Sequence, residues 1–215
     1  MINNDSKLSF LTLKEHRQVE AEAEKKGLDL MDLAAQSIVD YVIKLPFLKM
    51  KTILIMAGKG NNGGDGVSCA IKLANLGYSV TLLLVYDKLS QNTQKLVENY
   101  KRLNGRPITN LPTNLSNFEL IIDGVLGIGI SSELDEKTKA IFNKINDLNK
   151  FVLAIDTPSG VEPFTGKIYT GAIKANVTLT FIDDKPGLHI GNVVNYVGEV
   201  IVDHLVDPSL LRSYL

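Results

Sequence analysis

Asn61, Asn62 and Asp65 sit in a glycine-rich stretch, GKGNNGGDG at 58–66, directly after the apolar run KTILIMA. Asp123 closes a second apolar run, FELIID, and Asp156 closes a third, FVLAID, with Ser159 following in DTPSG. Amides, carboxylates and a hydroxyl at successive strand ends suit three kinds of chemistry. They can hold a hard cation, bind sugar hydroxyls, or move a proton through a carboxylic acid. They do not suit zinc, because His16, His189 and His204 are scattered and the chain has one cysteine, Cys69. Each residue also has a plainer role open to it. Asp65 fits a helix N-cap, Asp123 a turn former, Cys69 core packing, and Lys185 in FIDDKPG a solvated loop.

The first six residues of the glycine stretch fit G-x-G-x-x-G, a weak signal alone. An ordinary dinucleotide loop also wants an acid about 20 residues on, at the end of the next strand. Asp87 is placed for that role, but such a loop has no use for Asn61, Asn62 or Asp65. No Gly-Lys-Ser/Thr follows, which excludes a P-loop. A helix N-terminus there would attract phosphate. Gly63 and Gly64 are expected to turn strand into helix through positive φ.

The elements that position these residues read from periodicity. Helices are expected over 12–26 and 29–44, then strand 51–57, helix 65–76, strand 79–86, helix 90–103, strand 118–124, helix 133–148, strand 151–156, and late strands over 177–182 and 199–202. Short apolar runs alternating with helices predict an α/β fold: a Rossmann-like three-layer sandwich with a mostly parallel central sheet and two extra N-terminal helices. Ligands of such sheets bind beyond the carboxyl ends of the strands, so the three polar strand ends belong to one rim.

Composition narrows the function classes. The chain has 215 residues, 45% hydrophobic and 22% charged, with a formal net charge of −1. That predicts one domain over 1–215. No basic field calls for nucleic acid, and no apolar run reaches the roughly 20 residues of a membrane span. The single cysteine fits a reducing, cytoplasmic setting, and the N-terminus does not read as a signal peptide.

Four segments carry a resemblance in order: GKGNNGGDG, then IDGVLGIG at 122–129, DTPSGV at 156–161 and TLTFIDDKPG at 178–187. With them the chain, from about residue 10 to residue 205, resembles the NAD(P)H-hydrate epimerase family, the N-terminal module of bifunctional NAD(P)H-hydrate repair enzymes. GLDLMDLAAQ at 27–36 also resembles that family's second helix, but has Asp32 where Glu is usual and Ala35 where Gly is usual.

The resemblance implies an isomerase that interconverts the R and S forms of hydrated NADH or NADPH (NADHX, NADPHX) at ring C6, in nicotinamide nucleotide repair. It implies substrate contacts from Asn61, Asn62, Gly63, Gly64 and Asp65, from Gly127, Ile128, Gly129, Ile130, Ser131, Ser132 and Glu133, and from Asp156. It implies one potassium ion per subunit, held by Asn62, Asp123 and Ser159. It further implies a homodimer through the N-terminal helices and coupling to a separate NAD(P)H-hydrate dehydratase, with no dehydratase domain in this chain. Asp156 is then the acid/base that helps hydroxide leave and water return. Two alternatives stand beside it: a small NAD-dependent oxidoreductase using Asp87, and a non-catalytic nucleotide- or RNA-binding scaffold of the same fold.

Overall fold

The computed structural model describes residues 10–207. Its elements are α1 (Leu13–Lys25), α2 (Leu30–Val42), β1 (Thr52–Ala57), α3 (Asn61–Asn75), β2 (Ser79–Leu84), α4 (Gln91–Arg102), β3 (Leu120–Gly124), α5 (Glu136–Asn146), β4 (Phe151–Ile155), β5 (Val177–Phe181), α6 (Val194–Val197) and β6 (Glu199–Asp203). The strands form one sheet in the order β2-β1-β3-β4-β5-β6. Every pairing is parallel, so the expected mostly parallel sheet is wholly so.

Side-chain alternation along β1 shows why. Ile53, Ile55 and Ala57 join the core beneath α1 to α4. Leu54 and Met56 join a second core with Ile141, Phe142 and Ile145 of α5. A strand buried on both faces carries no polar alternation, which is the mark of a parallel sheet between helical layers. The helices start where the chain supplies caps. Thr12 and Glu15 form a reciprocal capping box at α1, and Asp29 and Ser90 cap α2 and α4. Asp135 Oδ1 accepts from Thr138 N at 2.8 Å, so α5 begins at Glu136 rather than at residue 133. The short helices between β5 and β6, including α6, were not expected from the sequence.

The larger departure lies at the glycine stretch. α3 begins at Asn61, not residue 65, and Gly60 is its N-cap without a side-chain bond. Gly63 and Gly64 are therefore helical, and neither has a positive φ. Their reason for being glycine is space. A Cβ on Gly63 would lie 2.0 Å from the Gly58 carbonyl oxygen, and one on Gly58 1.8 Å from the Val125 carbonyl oxygen. The turn after β1, the first turn of α3 and the loop after β3 touch backbone to backbone. On Gly64 a Cβ would meet only the end of the Met31 side chain, at 2.5 Å from Cε, and Met31 can swing aside.

Helix propensity favours alanine over glycine by ~1 kcal/mol. Overpacking against fixed backbone costs about 1–3 kcal/mol or more. Gly63→Ala should therefore be net destabilising in chemical denaturation, and Gly64→Ala close to neutral. Equal midpoints for the two variants would overturn this account of the junction.

Candidate functional site

The strand ends of β1, β3, β4 and β5 meet at a cavity of about 890 Å³, closed by α1, the start of α2 and the loop after β3. That volume lies within the range of about 300–1,000 Å³ of small-molecule sites.

Asp123 stands in register with Met56 of β1 and Ala154 of β4, fully buried. Its Oδ1 accepts from Ser159 Oγ at 2.6 Å and from Val125 N at 3.2 Å, and its Oδ2 accepts from Ser159 N at 2.7 Å. Ser159 Oγ in turn accepts from Leu126 N at 2.8 Å. The loops after β3 and β4 are thus sewn together through one carboxylate. Burial pushes that carboxyl up to about 6, and the bonds from Ser159 and Val125 hold it back from rising further.

Asn62 lines the cavity at 8% exposure. Its Oδ1 and Nδ2 are both buried without a hydrogen-bond partner. A buried polar atom left unpaired costs ~1–3 kcal/mol, which makes the orphaned Asn62 amide at the cavity wall a candidate point of ligand contact. A Cβ on Gly127 would lie 3.3 Å from both Asn62 Cβ and Asp156 Oδ2. Asn62 and Asp156 therefore converge on the bare backbone of Gly127.

Asp156 directly follows β4 with φ at 66°, and its N–H donates to Leu179 O at 2.8 Å. Its Oδ1 pairs with Lys185 Nζ at 2.9 Å. Lys185 is 1% exposed and also donates to Thr180 Oγ1 at 2.5 Å, Phe181 O at 3.1 Å and Asp183 O at 3.3 Å. The plainer role open to Lys185, a solvated loop residue, is excluded: it is the buried clamp on Asp156.

α1 supplies two groups that the sequence reading did not mark as functional. His16 and Glu20, one turn apart, both face the cavity. His16 is buried, its Nε2 has no partner, and its ring meets Phe164 edge-on at 5.6 Å between centroids. Burial, then the Lys185 charge, lower its pKa to about 4, so the imidazole is neutral. Burial and the Asp156 charge raise the Glu20 carboxyl. Asp65 lies inside α3 and is no N-cap; burial, then the charges of Asp156, Glu20 and Asp29, push it well above the usual carboxylate range. The signal for α1 was the i, i+4 spacing of His16 and Glu20, which places both on one helix face.

Of the expected substrate contacts, Asn61, Asn62, Asp65, Gly127, Ile128, Gly129, Ile130 and Asp156 line the cavity. Gly63 and Gly64 are packed within the start of α3, and Ser131, Ser132 and Glu133 are exposed outside the wall. Asp87 is exposed and off the wall. His189 pairs with Asp184 at 2.8 Å and His204 Nδ1 with Ile182 O at 2.7 Å, neither in the cavity. Burial raises the Cys69 thiol far above its ordinary value, which keeps it an inert core residue.

Residues 27–187 match the family described as YjeF-related protein N-terminus. The chain is 33% identical over 180 residues to an NAD(P)H-hydrate epimerase of Limosilactobacillus reuteri, covering 82% of this chain and 84% of that one. It is 35% identical over 212 residues to the bifunctional NAD(P)H-hydrate repair enzyme Nnr of Dictyoglomus turgidum; that match takes 94% of this chain and 41% of the longer protein. The crystal structure of the yeast protein YNL200c superposes with a TM-score of 0.79 over 96% of this chain and 93% of that one, at 23% identity, a likeness of fold.

The clamp on Asp156 has a measurable weight. Removing one partner of a buried ion pair costs about 3–5 kcal/mol, while removing both leaves no stranded charge. Lys185→Met should lose stability on that scale in guanidinium titration, and Asp156→Asn/Lys185→Met should recover much of it. Additive losses in the double variant would show that the pair is not coupled.

Proposed function

The chain belongs to the family of YjeF-related protein N-termini, and on that footing we propose that it epimerises the R and S hydrates of NADH or NADPH at ring C6, an isomerase of nicotinamide nucleotide repair. One observation carries the reading: Asp156, fixed through one oxygen by Lys185, turns its other oxygen toward Gly127 and Asn62 on the wall of a nucleotide-sized cavity. The hydrated C6 carbon bears a hydroxyl and the ring nitrogen. A proton delivered to the hydroxyl lets the nitrogen lone pair expel it as water. The ring becomes a planar cation, and water adds back as a carboxylate takes its proton. Asp156 is the acid/base at this centre.

A potassium ion, one per subunit, is part of the proposal. The donor set fits a hard cation, since Asn62 keeps an unpartnered buried amide oxygen and Asp123 and Ser159 offer a buried carboxylate and a buried hydroxyl. When bound, the ion supplies fixed positive charge near the nucleotide phosphates. The resemblance alone supports two further parts, a homodimer and coupling to a separate dehydratase, while residence in the cytoplasm rests on the single cysteine. The oxidoreductase alternative loses support with Asp87 off the cavity wall. A passive scaffold has no use for a clamped carboxylate at a cavity wall.

Starting from one purified hydrate epimer and following both by chromatography, the protein should accelerate epimerisation. Asp156→Asn should lose ~10²–10⁴ of that acceleration, compared at a temperature where the variant is still folded, since asparagine tolerates the positive φ but leaves the Lys185 ammonium stranded. A wild-type rate in that variant would remove Asp156 from the chemistry. For the ion, the wild-type rate should rise with added potassium and Asp123→Ala should lose the response; rates indifferent to potassium in both proteins would sink the site.

A further inference from the structure

Epimerisation poses a stereochemical demand that one clamped carboxyl does not meet. The hydroxyl departs from one face of C6 and must return on the other. Asp156 is immobilised on Lys185, itself held by Thr180, Phe181 and Asp183, so its free oxygen addresses one side of a ring bound in the cavity. Either the ring turns over between steps, or a second proton-transferring group waits on the other side.

We propose that Glu20 is that second acid/base, addressing the face of the hydrated ring that Asp156 does not. The inference rests on the epimerase reading. Glu20 reaches the same cavity from α1, in the helical layer above the sheet, whereas Asp156 rises from the end of β4 within the sheet. α1 is held to the strand tips where Leu11 N donates to Asp183 Oδ2 at 2.9 Å, which fixes the helix over the site. Glu20 is partly buried, and among the described residues its carboxyl has neither a salt bridge nor a hydrogen bond. The two carboxyls thus differ in environment. Asp156 lies against a buried ammonium, while Glu20 is pushed toward its protonated form by burial and by the like charge of Asp156. Two carboxyls set apart in this way divide acid and base work between them.

The step balances. The Glu20 carboxylic acid gives its proton to the hydroxyl on its face. The C6–O bond breaks, water departs, and the ring-nitrogen lone pair closes a C=N bond. Water then adds to C6 from the other face as the Asp156 carboxylate takes its proton, and the lone pair returns to nitrogen. One proton has passed from Glu20 to Asp156. The reverse reaction uses the same groups with roles exchanged, and exchange with solvent resets the enzyme.

Reaction in water carrying heavy oxygen separates inversion from simple exchange. Each purified epimer is incubated with enzyme, and both epimers are then resolved and weighed. Glu20→Gln should slow inversion by ~100-fold or more, yet still catalyse label uptake with retention into the epimer whose hydroxyl lies on the Asp156 side. Glu20→Asp, which keeps a carboxyl, should recover part of the lost inversion; this comparison decides the matter if Glu20→Gln is less stable. Four results would overturn the assignment: wild-type inversion in Glu20→Gln, equal loss of inversion and retention at unchanged stability, no recovery in Glu20→Asp, or the same phenotype from Asp65→Asn, which would move the role to α3. A wild-type protein that epimerises neither hydrate would instead overturn the parent reading, before any variant is compared.

Discussion

The site exists because three stretches of backbone touch where side chains would ordinarily keep them apart. Gly63 rests on the Gly58 carbonyl, and Gly58 on the Val125 carbonyl. This contact fixes the start of α3 against the loops after β1 and β3, so that Asn62 and Gly127 share one wall. Hydrogen bonds from Ser159 and Val125 to Asp123 then join the third loop. Asn62 and the three loops are placed by these two devices, one of bare backbone and one of a buried carboxylate, while Lys185 fixes Asp156 and the Leu11–Asp183 bond holds α1.

The two strand-end aspartates show how environment separates residues of one type. Asp123 has hydrogen bonds but, among the described residues, no cationic side chain paired with it, and burial raises its pKa to about 6. Asp156 has a cation, Lys185, and a free oxygen at the wall. Fully buried lysines are rare unless paired, and this one shares its three donors among four acceptors: the Asp156 carboxylate, Thr180 Oγ1 and the carbonyls of Phe181 and Asp183. A motionless base beside an anion-stabilising charge is suited to proton transfer with little reorganisation.

Much of this was legible in the sequence. Apolar runs ending in Asp123 and Asp156 announced strands and a polar rim, because a parallel strand buried on both faces leaves its chemistry to its end. The helices expected over 12–26 and 90–103 lie within one residue of α1 and α4 at each end. The start of α3 was misjudged because glycines read as a turn, and only tertiary contact with Gly58 explains them inside a helix. The role of Lys185 stayed open since a lysine between aspartates and a proline also reads as loop, and its burial depends on the strand tip folding back over it. Glu20 and His16 were hidden for a related reason. A charged helix at the chain's start looks solvated until α1 is laid across the cavity.

Asp156 adopts φ of 66°, a region that costs most residues 1 kcal/mol or more and that Gly, Asn and Asp enter with least strain. This narrows the paths by which the position can drift. Asparagine and glycine would suit the backbone and abolish the proton transfer. Glutamate would keep the carboxyl, strain the backbone and overshoot the grip of Lys185. Aspartate stands at an isolated peak, with each neighbouring residue type failing for a different reason, while the exposed rim at Ser131–Glu133 can vary without touching the fold.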